Sequence, residues 1–217
     1  VQCQLQLTGP PRPIRRSFGT NPRVRAETMR IIQEQKRKGV IRDSCSPYSS
    51  PTLLVPKPGG KGYRLCMDYR ALNKVISRDA YPLPRTDTCL STLHGADLFS
   101  SLDIVAAFWQ VPMAEDSIQY TAFCTNEGQY EWTRMPMGLK VASSVFSRFI
   151  DEVMGKLKWH CVLTYIDDSL VYTRSGFDAH VQALALVLER LQEYGLAMGA
   201  AKTVSYTHLR AHETDRH

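Results

Sequence analysis

Residues 161–173 read CVLTYIDDSLVYT, with two adjacent carboxylates, Asp167 and Asp168, between two runs of apolar and β-branched residues. Each run has the composition of a short strand, 162–166 and 170–173, so the stretch reads as a hairpin with acids and Ser169 at its tip. An ordinary turn is one reading, because Asp bonds nearby backbone in turns. Metal binding is the other. Both flanks are too apolar for a surface hairpin, and paired carboxylates at the edge of a buried sheet repel each other unless cations lie between them.

A third acid lies upstream. LFSSLDI, residues 98–104, reads as a buried strand ending at Asp103, and a carboxylate placed after such a strand needs a cation or a donor to meet it. Between these two segments Ala142, Val145, Phe149, Ile150, Val153 and Leu157 recur at helical spacing. Beyond the hairpin Phe177, Val181, Leu184, Leu188 and Leu191 predict a second amphipathic helix, capped by Ser175 and Gly195. Strand, helix, hairpin, helix is an α+β arrangement, an antiparallel sheet with helices packed on one face.

Further out, residues 118–134 predict two strands, QYTAFCT and QYEWTRM, turned at Glu127-Gly128. Residues 53–55 and 63–69 predict a hairpin whose PGGKG turn, with Lys57, Lys61 and Arg64 around it, suits capture of a phosphate chain as well as simple solvation. A short helix is expected over 87–93, ended by Gly95, and another over 22–38, with Asn21 as N-cap, Pro22 at the first position and Gly39 beyond its end. Residues 1–20, rich in Pro, Arg and Gly, read as an extended leader.

With 217 residues, 43% of them hydrophobic, the chain can bury a substantial core. Its net charge of +6 is uneven: residues 1–40 hold nine basic and two acidic groups, leaving 18 basic against 19 acidic elsewhere. Such a basic segment suits a polyanion such as nucleic acid, or a solvated helix face. The six cysteines are at least 21 residues apart and form no zinc-ligand spacing, which fits a reduced intracellular protein, cytoplasmic or nuclear. No apolar run is long enough for a membrane span, no signal peptide is visible, and a start at Val1 fits a fragment of something longer.

Three carboxylates from two adjacent strands can hold two divalent metals roughly 3.5 to 4 Å apart. Hard oxygen donors favour Mg²⁺, with Mn²⁺ as an alternative, and the remaining ligands come from substrate phosphates. The chemistry favoured is phosphoryl or nucleotidyl transfer.

The blocks GVIRDSCSPYSSP, YRLCMDYRALNK, AYPLPR, SLDIVAAFWQVPM, YEWTRMPMGLKVASSVFSRFID and YIDDSLVYT follow one another from about Ile31 to Lys202. In this order they resemble reverse transcriptases, most closely those of gypsy-type long-terminal-repeat retroelements. The resemblance implies the fingers and palm of a right-hand polymerase without a thumb, the fingers mainly 21–95 and 115–135, the palm mainly 96–114 and 136–203. It implies metal ligation by Asp103, Asp167 and Asp168, with the backbone carbonyl of Ile104 added. It further implies nucleotide contacts from Lys57, Arg64, the backbone near Ala106 and Ala107, Phe108 as the aromatic gate against a ribose 2′-OH, and Met137. Lys202 falls where the family carries a lysine that protonates pyrophosphate.

The partners implied are an RNA or DNA template with primer and deoxynucleoside triphosphates, with RNase H and integrase segments elsewhere in the polyprotein. Met137, Ser143 and Ser147 stand where the family more often has Phe or Gln, Pro, and Gln. Residues 204–217, VSYTHLRAHETDRH, show neither strand alternation nor helix period and read as a non-native tail. Two other readings share these residues: a catalytically inactive nucleic-acid-binding remnant, and an RNA polymerase with the same palm.

Overall fold

A computed structural model describes residues 1–11, 21–60, 62–82, 84–166, 168–199 and 204–207, the last four by backbone alone. In chain order the elements are α1 (Pro22–Arg37), β1 (Ile41–Asp43), β2 (Thr52–Pro56), β3 (Tyr63–Met67), α2 (Arg70–Val75), α3 (Thr86–Leu93), β4 (Leu98–Asp103) and α4 (Glu115–Ile118). There follow β5 (Phe123–Cys124), β6 (Gln129–Trp132), α5 (Ala142–Met154), β7 (Val162–Tyr165), β8 (Asp168–Thr173), α6 (Gly176–Glu193) and β9 (Val204–Thr207). They divide into two units, residues 1–80 with 106–145, and 81–105 with 146–217. No described helix is long and apolar enough to cross a membrane.

In the first unit α1 begins as its sequence dictates. The Asn21 carboxamide accepts the Arg23 N–H (3.0 Å), Pro22 has no N–H that needs an acceptor, and Lys36 and Arg37 complement the negative end of the helix dipole. Gly39 takes the positive φ (67°) that ends the run. A three-stranded sheet, β1-β6-β5, buries Phe123, Tyr130 and Trp132, while β2 and β3 form a separate antiparallel hairpin.

Three features of this unit were not legible in the sequence. α2 follows β3 directly, with the Asp68 carboxylate accepting the Arg70 N–H (3.1 Å) at its first turn. Gln119–Thr121, expected to be strand, is a 3-10 turn continuing α4. Glu115 and Asp116 favour a helical start there, and the Thr121 hydroxyl donates to Ile118 C=O (2.7 Å) while accepting the Trp132 N–H (2.9 Å). The leader docks in part: Cys3 is fully buried, its N–H donates to Pro112 C=O (2.8 Å), and Leu7 bridges to Ile76. Residues 12–20 lie outside the described residues.

The second unit is built on a four-stranded antiparallel sheet of order β7-β8-β4-β9. α6 packs on β8 and β4, burying His180, Ala183, Val187 and Leu191. The stripe expected from the sequence shares Leu191 with this face, but Phe177, Val181 and Leu188 are exposed. α6 carries two apolar stripes, and the packed one includes His180. Its ring nitrogens lie 2.9 Å from the Ser100 hydroxyl of β4 and 2.9 Å from the Thr173 hydroxyl of β8. Residues 204–207, the start of the segment read as a non-native tail without strand alternation, pair with residues 98–101 of β4 as an edge strand.

Candidate active site

The β4–β8 register runs from Leu98↔Thr173 to Asp103↔Asp168. Directly opposed residues of antiparallel strands share one face with Cβ atoms about 4.5 to 5.5 Å apart, and like charges so placed weaken the sheet. Asp103 is half-buried and Asp168 exposed. The donor set fits a hard divalent cation, which would relieve the repulsion through oxygens that Mg²⁺ prefers. Asp167 and Lys202 lie outside the described residues. Among the described residues no group of three or more His, Cys, Asp or Glu is placed to hold a metal, and Asp103 and Asp168 are two of the three acids expected.

β8 begins at Asp168, so Asp168 and Ser169, expected at the hairpin tip, are strand residues paired with Tyr165 and Thr164, and the tip is strained just before them. Ile166 has φ 56°, a left-handed conformation that a β-branched residue adopts at a steric cost of about 1 to 2 kcal/mol. Strain of this kind persists where surrounding structure over-determines it. Beside β7 lies an anchored network. The Asp151 carboxylate accepts hydrogen bonds from Tyr81 (2.6 Å), Lys158 (2.5 Å) and Thr164 (3.2 Å). The Asp151 bond, with burial and the carboxylate's charge, raises the Tyr81 phenol to about 12.

On its other side β4 meets a segment that follows α6. Ile104, whose side chain is buried, bridges to Met198 in antiparallel fashion. The Val105 N–H donates to Ala197 C=O (3.1 Å) and the Gly199 N–H to Asp103 C=O (2.9 Å).

The remaining sequence-predicted residues belong to the first unit. Lys57 and Arg64 are exposed; the Lys57 N–H donates to Gly62 C=O (2.8 Å) to close the hairpin, and Arg64 pairs with Val55. Gly59 (φ 73°) and Gly62 (φ 89°) supply the left-handed turn backbone that PGGKG predicted, with Lys61 between them outside the described residues. Ala106 is left-handed (φ 47°, ψ 46°) and leads into a 3-10 turn, Ala107–Gln110, on which Ala107 is buried and Phe108 half-buried. Met137 is 57% exposed. Asn73, which sequence reasoning missed, grips the same loop: its carboxamide donates to Gly138 C=O (2.8 Å) and accepts the Lys140 N–H (2.7 Å). The signal available was a lone Asn inside RALNK.

A profile of the family described as reverse transcriptase (RNA-dependent DNA polymerase) matches residues 55–214, about three quarters of the chain. The chain belongs to this family. More particularly, it matches the Retrovirus-related Pol polyprotein from transposon opus of Drosophila melanogaster at 39% identity over 184 residues, 83% of this chain and 18% of that polyprotein. It matches the enzymatic polyprotein of Cauliflower mosaic virus (strain Strasbourg) at 34% identity over 207 residues, 93% of this chain and 30% of that protein. The crystal structure of the prototype foamy virus protease-reverse transcriptase superposes with a TM-score of 0.83 at 27% identity, covering 93% of this chain and 27% of that one. A foamy viral protease-reverse transcriptase in complex with an RNA/DNA hybrid does so with a TM-score of 0.80 at 26% identity, over 92% of this chain and 26% of that one. The chain is thus a reverse transcriptase domain of the kind found in retroelement Pol polyproteins, and it spans less than a fifth of the length of the transposon relative.

Proposed function

We propose that this chain carries the catalytic centre of an RNA-directed DNA polymerase, which extends a primer 3′-OH by nucleotidyl transfer along RNA or DNA. The observation that carries this reading is the register that opposes Asp103 to Asp168 on one sheet face, beside a strained hairpin tip. Asp103 and Asp168, with Asp167 and the Ile104 carbonyl, would hold two Mg²⁺ or Mn²⁺ ions, which when bound supply activation of the primer hydroxyl and neutralisation of phosphate charge. Lys57 and Arg64 neutralise the triphosphate, the backbone N–H groups near Ala106 and Ala107 orient it, and Phe108 and Met137 border the nucleotide. Lys202 delivers a proton to the departing pyrophosphate.

Primer-template is the partner, a reading supported by the foamy viral enzyme's complex with an RNA/DNA hybrid. The parent is a gypsy-type Pol polyprotein with RNase H and integrase segments, in which residues 21–95 and 115–135 serve mainly as fingers and 96–114 and 136–203 mainly as palm. The inactive-remnant and RNA-polymerase readings are less favoured by the family match. The test is Asp103→Asn in a chain completed with a thumb from a related polymerase. Primer extension should be lost while the thermal unfolding midpoint stays in place, because a ligand is removed at nearly constant volume. Near-normal extension would falsify the assignment.

A further inference from the structure

We propose that Gly199 is a positioning residue for the Asp103 carboxylate, its missing side chain leaving that group its place and keeping the sheet face beside it open. This rests on the reading of Asp103 as a metal ligand. The Ile104–Met198 bridge, with the Gly199 N–H on Asp103 C=O at 2.9 Å and the Val105 N–H on Ala197 C=O at 3.1 Å, sets position 199 directly opposite Asp103. Opposed positions share a face. Asp168 opposes Asp103 from the other neighbouring strand, so positions 168, 103 and 199 form one row across the sheet with the two acids at one end and a bare backbone at the other.

A Cβ at 199 would stand 3.1 Å from Asp103 Oδ2 and 3.3 Å from Val105 Cγ2, both tighter than an ordinary Cβ contact, the second inside the roughly 3.5 to 4.0 Å of an unstrained contact between carbon atoms. Gly199 is absent from the positive-φ glycines, so its backbone does not call for glycine. The requirement comes from the space around the carboxylate. Even a methyl group would make Oδ2 give by a few tenths of an ångström, which moves the oxygen a cation would meet at Asp103.

The experiment is Mn²⁺ binding by the chain 1–217, read from loss of the free-ion electron paramagnetic resonance signal, alongside thermal unfolding. Gly199→Ala should weaken binding about ten- to a hundredfold, the range seen when groups that orient a metal ligand are altered, with little change in the unfolding midpoint. Gly199→Ala with Val105→Ala removes the clash at Val105 but not the one at the carboxylate, and should stay weak. Ala197→Ser, on the same segment, should bind like the unchanged chain. Wild-type affinity in Gly199→Ala, or recovery of affinity in the double variant, overturns the proposal while leaving Asp103 as a ligand. A chain in which Asp103→Asn binds Mn²⁺ as well as wild type overturns the reading of Asp103 itself.

Discussion

Ala106 turns the backbone left-handed (φ 47°, ψ 46°), and that single residue launches the 3-10 turn on which Phe108 stands half-buried. Phe108 follows this strained position by two residues, and strain of this kind clusters at functional sites. If its ring lies beneath the sugar, a 2′-OH collides with it, and Phe108→Val or Phe108→Ala should admit ribonucleotides. The ratio of kcat/KM for deoxyribonucleotide over ribonucleotide should fall at least about tenfold, since an overpacked contact costs about 1 to 3 kcal/mol. Primer extension with both nucleotide classes measures it, and an unchanged ratio returns Phe108 to the core. At this scale the sequence showed which residue types were present, but the positive φ values of Ala106 and Ile166 were not readable, because neither residue is one that favours them.

Among the elements, α6 buries a polar residue, His180, on its packed face. His180 is held between hydroxyls of two different strands, and burial pushes its imidazole below the ordinary histidine value. The unfolded chain takes up a proton at about pH 6.5, whereas the folded chain resists it until lower pH. Between those two values the unfolded state binds more protons, so the stability that neutral His180 contributes is present above about pH 6.5 and is lost as pH falls through that window. The slope from this one group is at most about 1.4 kcal/mol per pH unit. Urea midpoints at pH 7.5 and 5.5 should differ more for the wild type than for His180→Gln, and equal differences would remove His180 as the source. The hydroxyls of Ser100 and Thr173 that face the ring do not titrate there, so the comparison isolates the imidazole.

For the chain as a whole, charge sets the expectation. Nine basic groups against two acidic ones in residues 1–40 give a concentrated positive region in a protein of net charge +6. Binding of primer-template by residues 1–217, followed by fluorescence anisotropy, should weaken steeply with salt, each neutralised phosphate adding about −0.9 to the slope of log affinity against log salt. A flat response would remove phosphate contacts as the main source of affinity. Short-range rules were enough to read several elements from the sequence: the Asn21 cap, the Gly-rich turn between β2 and β3, the strands around the acidic tip and the α5 period all follow from a few neighbouring residues. Ordered motif blocks were enough to read the family. The opposition of Asp103 to Asp168, the packed face of α6, the 3-10 turn at Gln119–Thr121 and the pairing of β9 needed the tertiary structure. Register, helix rotation and a four-residue edge strand are each fixed by partners distant in the chain. Burial is non-directional, so an apolar stripe or a short strand states that it will pack but not against what.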